Sequence, residues 1–581
     1  MRDEPGDGQG LARRRSGLTL TLQVLGPSLV VGAFALCLLV WPRAWLFLLG
    51  EVTALALLGR LWALTGAGPL SQAIYEPLSG VQLTYRVEHL GLLFAITGVA
   101  MGLLLTLPWL ARPLARTGRR GAWVLLAQFG MLSAVLAGDL ESMAAGWAIA
   151  VGGLTLLCLL QRRVAPPIAM DGPASRFVAI QASTAVLLLA GAVAAETSAG
   201  TGAFDSIPVT AFDVRAVVLL AAAPVTALLT IQLLCRAIHR PLLAALAASS
   251  VVVPMSAYVL TRLYDLCGGR LPDSRVNAAL VLVGGVTALG FALASVWAVD
   301  LGAAVARLGQ AAAGLTLVAA GAGTGVAIAA LELAPISLGL GLAALLAMVQ
   351  AGGGRLPSTS GGRWSSVIVT APALLAIAWA AGFPVGLAAI ERVASASAGV
   401  DAGGLLTPAA GPAILALPVM VLAAYACGRF GGGQRPAPEA RLRLALLAAA
   451  LGASSLALGQ LEPLIAGLAA AVVRVPSADL QSTLGSLVPG TQVSIGLTAL
   501  TLVLVLAIGR MRGTAIDQGF PGAVESLPPR LAVAPGIYGI RFASAARRRG
   551  LTLAAIARRH AFLSGLVVSA AAAVAANAMV R

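Results

Sequence analysis

The sequence predicts an all-α fold, a polytopic transmembrane helical bundle of about 14–16 spans, and three observations carry that prediction. Hydrophobic residues make up 59% of the 581 and charged residues 11%, with a mean hydropathy of +0.92. A water-soluble globule of that composition could not cover itself with enough polar surface. Apolar stretches of about 20 residues, the length of helix that crosses ~30 Å of hydrocarbon, recur along nearly the whole chain. The arginines fall in short connections between those stretches rather than in one basic domain. Helices satisfy their own backbone groups in lipid, and the short alternating segments of a membrane β-barrel are absent from the sequence.

Taken in order, the first span is 20–40, preceded by Arg13, Arg14 and Arg15. It resembles a signal peptide only superficially, being too long for a cleaved apolar region. Further spans are predicted at 44–66, 89–111, 120–138, 143–160, 176–196, 212–235, 241–264, 276–298, 309–331, 333–351, 364–383, 406–427, 441–473, 493–511 and 562–580. The stretch 309–351 is nearly continuous, and 441–473 is long enough to break at Gly459 or Pro463.

Charge distribution tests this division, because arginines should crowd every second connection. Arg112, Arg116, Arg119 and Arg120 share one; Arg162, Arg163 and Arg176 flank the next but one. Arg236 and Arg240, Arg307, Arg355 and Arg363, and then Arg429, Arg435, Arg441 and Arg443 continue the alternation. The connections between them carry Asp139, Glu141, Asp205, Asp401 and Asp479. The rule therefore places the basic loops in the cytoplasm and both termini outside, which leaves Arg13 to Arg15 on the disfavoured side. Membrane topology thus accounts for the net charge of +16, and nucleic acid is not an expected partner. The lipid bilayer is.

No cofactor or metal is expected. Cys37, Cys158, Cys235, Cys267 and Cys427 are far apart, form no CxxC pair and do not group with His89, His239 or His560. Walker-loop, GxSxG and HExxH patterns are absent, and Gly352-Gly353-Gly354 follows no strand. Every basic side chain other than the three histidines is arginine, since the chain contains no lysine. Arginine stays protonated, so it can anchor charge but carries protons poorly.

Ionisable residues inside a membrane are costly and are functional candidates by default. Here they are Glu51 and Arg60 in the second span, Glu88 opening the third, Glu196, Asp213 and Arg215 near span ends, Asp300, Glu332, and Glu391 with Arg392. Most lie within a turn or two of a boundary, where a structural, snorkelling role competes with transport. Glu51 and Arg60 are too far apart along the helix to pair on one face.

One segment is more specific than composition. Tyr85-Arg-Val-Glu-His-Leu-Gly-Leu-Leu-Phe94, then Gly130-Met-Leu-Ser-Ala-Val-Leu-Ala-Gly-Asp-Leu140 and Trp147, resemble the first half of the antiporter-like membrane subunits of respiratory complex I, membrane-bound hydrogenases and Mrp-type antiporters. Glu88, Asp139 and Trp147 match that pattern. The likeness continues in order: Val218 to Leu263 lies without gaps on the family's broken seventh helix and its eighth, ending Tyr258-Val-Leu-Thr-Arg-Leu263. Asp300-Leu301 and Gly382-Phe-Pro384, with Glu391 and Arg392 beyond, extend it over about residues 80 to 430.

The resemblance implies inverted repeats with discontinuous helices, with breaks near Pro224 and Pro254. With the Gly/Pro/Ser stretch from Gly352 to Gly362 and the hydrophilic segment 512–560 as boundaries, the chain divides into N-terminal spans (1–80), an antiporter-like transmembrane core (81–351), a C-terminal transmembrane bundle (352–511), a basic cytoplasmic linker (512–560) and a final transmembrane helix (561–581). The resemblance also implies a subunit of a proton-translocating quinone oxidoreductase or hydrogenase in the bacterial cytoplasmic membrane, partnered by other membrane subunits and holding no redox centre of its own. Any proton path retained here would run through Glu88, Asp139, Asp300, Glu332, Glu391 and Arg392. The family's buried glutamate, histidine and lysines, however, are matched here by Ala148, Ala223, Ala248, Pro254 and Gly302. Alanine has no second protonation state, so a non-pumping subunit is expected. The competing reading is an unrelated secondary transporter or lipid-handling membrane protein, which the helix breaks discriminate.

Overall fold

The computed structural model describes residues 8–78, 81–107, 118–160, 172–209, 212–238, 240–296, 298, 301–351, 416 and 463–482. Among these, nine helices are long and apolar enough to cross a membrane, or ten if one bent pair counts as a span. The chain is an integral membrane protein built as a helical bundle. The predicted spans at 364–383, 406–427, 493–511 and 562–580, and most of 441–473, lie outside the described residues.

In chain order, α1 (Gly8–Val40) and α2 (Ala44–Leu64) pack antiparallel, with Phe34 of α1 against Gly50 of α2. A hairpin of β1 (Leu70–Leu78) and β2 (Val81–Val87) follows, in register Leu70↔Val87 and Ala73↔Thr84. The all-α helical bundle is borne out, with this hairpin as an addition in a connection rich in residues that suit a pleated strand, among them Ile74, Tyr75, Thr84, Tyr85 and Val87. Next come α3 (His89–Thr106), α4 (Gly118–Val135), α5 (Leu140–Leu160) and α6 (Pro173–Ala199). Helices α4 and α5 approach along Gly130, Gly146 and Gly153, where an added Cβ would strike the backbone of Ala150, Ala134 and Ala127. Small residues permit that contact in the absence of a hydrophobic drive between helices in lipid.

The seventh span is broken. Helix α7 (Val214–Leu229) and α8 (Ile231–Ala237) meet at Thr230 with a bend of 45°. Pro224, inside α7, removes one backbone donor a turn and a half earlier. This is the break expected near Pro224.

The expected break near Pro254 takes another form. Helix α9 (Pro241–Ala247), a π-helical stretch (Ala248–Val252) and α10 (Val253–Leu266) run on as one span, buried from Leu242 to Tyr264. Pro254 cannot donate to the Ser250 carbonyl, and the wider π turn accommodates the missing bond without a kink. The remaining described spans are α11 (Ser274–Val296), α12 (Leu301–Ala322) and α13 (Gly325–Ala351). The boundary predicted between 331 and 333 falls instead at Gly323, whose φ of +60° ends α12 in a conformation that glycine adopts readily.

Helices α9 and α10, with α12 and α13, form the interior, whereas α1, α2, α6 and α11 turn wide apolar faces outward. The hairpin and the α4–α5, α6–α7 and α10–α11 connections gather at one end. Tyr85 bridges to Ala137, Asp139 bridges to Ala203, and Val209 lies against Gly268.

Candidate functional site

At this gathered end the backbone places five charges in alternating order. Glu88 stands at the N-terminus of α3, immediately after β2, so strand pairing and helix start together fix its position. Its carboxylate pairs with Arg86 Nε at 2.8 Å and, through the other oxygen, with Arg262 of α10. Arg262 Nη1 reaches Asp265 Oδ2 at 2.6 Å, and Arg86 reaches Asp205 in the α6–α7 connection. Arg262 is the hub. Only 3% of its side chain is exposed; its Nε donates to the Tyr258 hydroxyl at 3.3 Å, and its guanidinium lies 4.6 Å from the centre of the Phe204 ring. A buried guanidinium is tolerable when carboxylates and ring faces surround it in this way.

Asp139, one helix end away, is also fully engaged. Its Oδ2 accepts from the Thr84 N–H at 2.6 Å, the Thr84 hydroxyl at 2.5 Å and the Ser142 hydroxyl at 2.8 Å, while Oδ1 accepts from the Ser142 N–H. It therefore caps α5 and ties the hairpin to it. Beside it, burial pushes the Tyr85 phenol above its usual range, with the Ser133 and Ser28 hydroxyls opposing the shift.

The broken span is held by amides. Gln310 of α12 donates from Nε2 to the Leu228 carbonyl at 3.1 Å and accepts at Oε1 from the Gln232 N–H at 3.0 Å. One side chain thereby satisfies backbone groups on both sides of the bend. Gln181 of α6 donates to the Thr230 hydroxyl at 2.7 Å, and Thr184, beside it, accepts from the Trp147 indole at 2.9 Å. This chain of neutral groups links α5, α6, α7, α8 and α12.

Of the six path candidates, Glu88 and Asp139 share one end and are engaged in an ion pair and a helix cap. Glu332 is separate: it is fully buried in α13, and neither carboxylate oxygen has a hydrogen-bond partner. Asp300, Glu391 and Arg392 lie outside the described residues. The positions matching the family's titratable groups divide as well. Ala223 and Ala248 are wholly buried, Pro254 is buried in the central span, and Ala148 is on an exposed face of α5. Among the described residues no group of three or more His, Cys, Asp or Glu could hold a metal.

Sequence reasoning did not single out Arg262, Gln310, Gln181 or Gln128 as functional. A signal existed, because an amide or guanidinium within an apolar span is as anomalous as an acid. What no spacing reveals is that Arg262 meets Glu88, 174 positions away.

The sequence matches no protein-family model and no curated protein. Solved structures do match. A chain of the Mrp complex from Dietzia sp. DQ12-45-1b superposes with a TM-score of 0.64 at 21% identity, over 96% of this chain and 63% of that one. The chain shares the fold of that chain. A chain of respiratory complex I from Thermus thermophilus gives a TM-score of 0.61 at 19% identity, over 80% of this chain and 99% of that chain. One from membrane-bound sulfane sulfur reductase, an archaeal respiratory membrane complex, gives 0.55 at 19%, over 74% and 75%. This chain thus spans less than two thirds of the Mrp chain's length but nearly all of the complex I chain's. The fold agrees with the resemblance read from Tyr85–Phe94 and Gly130–Leu140.

Proposed function

We propose that this protein is a divergent antiporter-like membrane subunit of a complex I-like or hydrogenase-like proton-translocating assembly, and that it is itself non-pumping. One observation carries the reading: the match to the Mrp-complex chain covers 96% of this chain, while Ala223 and Ala248 stand buried where the resemblance expects titratable side chains. A relay needs groups with two accessible protonation states, and neither alanine has one. The amides at the helix break support it too, since Gln310 satisfies the backbone and Gln181 the Thr230 hydroxyl without any group that could change charge.

In this reading the wide apolar faces of the outer helices meet lipid and sister subunits in a bacterial cytoplasmic membrane. The division into N-terminal spans, core, C-terminal bundle, basic linker and last helix belongs to the same proposal. The subunit contributes scaffold and no redox centre. Purification of the full chain in mild detergent, with identification of what co-elutes, tests this. Membrane subunits and electron-transfer partners of a quinone-reductase or hydrogenase type are expected; recovery of a lone monomer contradicts it.

A further inference from the structure

Two turns inside α2, the carboxyl of Glu51 is fully buried, and both its oxygens lack a hydrogen-bond partner. The polar group facing it is the carboxamide of Gln128 on α4, likewise fully buried and with neither Oε1 nor Nε2 in hydrogen-bond geometry. Both groups converge on Gly102 of α3. A Cβ there would lie 2.3 Å from Glu51 Oε1 and 2.5 Å from Gln128 Nε2, so the missing side chain makes the space that the pair occupies.

Among the described residues the surroundings supply no countercharge. Helix α3 carries no ionisable residue after His89 at its first position, and the described arginine side chain of α4, Arg120, is eight positions before Gln128. On α1 the residue at this level is Phe34, which packs on neighbouring Gly50, with Cys37 a turn beyond and Arg13 to Arg15 about five turns away. Arg60, on α2 itself, is exposed and on another face. Charge neutrality at such a position requires a proton or a metal cation on the carboxyl.

We infer that Glu51, Gln128 and the Gly102 cradle form a proton-binding site between α2, α3 and α4, apart from the helix break and from the charges around Arg262. A proton fits the donor set. One carboxyl and one amide offer an O–H donor that the amide oxygen can accept, but too few oxygens to enclose a metal ion. On uptake the proton joins one Glu51 oxygen and is shared toward Gln128; on release it leaves from the same oxygen, with no other bond changed. The inference does not depend on which assembly the chain joins.

Infrared difference spectroscopy of the full chain in lipid vesicles tests it, with pH stepped from about 5 to about 9. A carbonyl-stretch band of a protonated carboxyl should diminish about tenfold per pH unit above its midpoint, be missing from Glu51→Gln, and change frequency in Gln128→Leu. Gly102→Ala should perturb the same band, because the new methyl displaces both groups. Replacing choline by sodium at fixed pH should leave the band unchanged. Identical titrations of the native chain and Glu51→Gln would overturn the proposal, as would a band that responds to sodium. Should Glu51→Gln fail to fold, an unchanged band in both Gln128→Leu and Gly102→Ala would be equally decisive.

Discussion

The gathered end of the bundle and the broken span solve one problem with opposite chemistry. Around Arg262 buried charge is kept and neutralised by charge, with Glu88 and Asp265 pairing and the Tyr258 and Phe204 rings enclosing the guanidinium. At Thr230, nearer the middle of a span, the freed backbone groups are met by Gln310, and the local hydroxyl by Gln181, with no charge at all. The difference teaches where this chain tolerates ionised groups. Near the water a complete ion-pair chain offsets the desolvation cost, whereas at the helix break amides fill the polar positions.

The strongest way to break that comparison is to unbalance the charged end. Arg262→Met would leave Glu88 with Arg86 as its one cation, and a cost of about 3–5 kcal/mol is expected, the range for removing one partner of a buried pair. Thermal unfolding in detergent would read it, and an unchanged transition would show that the cluster is not a unit. Glu88→Gln should cost less, because Asp265 still faces Arg262.

At the broken span, Gln310→Ala should cost about 1–3 kcal/mol by leaving the Leu228 carbonyl and the Gln232 N–H without partners. Amide exchange at Gln232 should accelerate while that of α4 does not. Asp139→Asn should cost about 1–2 kcal/mol through the weakened cap and hairpin tie, and faster proteolysis between β1 and β2 is the sign to look for. Trp147→Phe, which removes one indole donor to Thr184, should have the smallest effect, about 1 kcal/mol.

Much of this is legible in the sequence. Apolar runs placed α2, α3, α5, α6 and the paired α7 and α8 to within a few residues, because span length and hydropathy are one-dimensional properties of lipid solvation. Pro224 signalled the first break. Pro254 misled, since a π turn absorbs a lost donor that a regular helix would answer with a kink. The hairpin was hidden because its support comes from Asp139 and Ala137, far along the chain. Glu88 is a candidate by residue type and Asp139 by the resemblance. That they are an ion-pair partner and a helix cap emerges only when α10 and β2 are brought beside them.

The central claim is that the scaffold of a proton pump persists here with its titratable line replaced. Proton uptake by vesicles containing the chain with its co-purified partners, compared between the native chain and Glu332→Gln, tests it most directly, since among the described residues Glu332 is the path candidate buried without a hydrogen-bond partner. Equal rates of acidification are predicted, and a clear loss in the variant would contradict the claim.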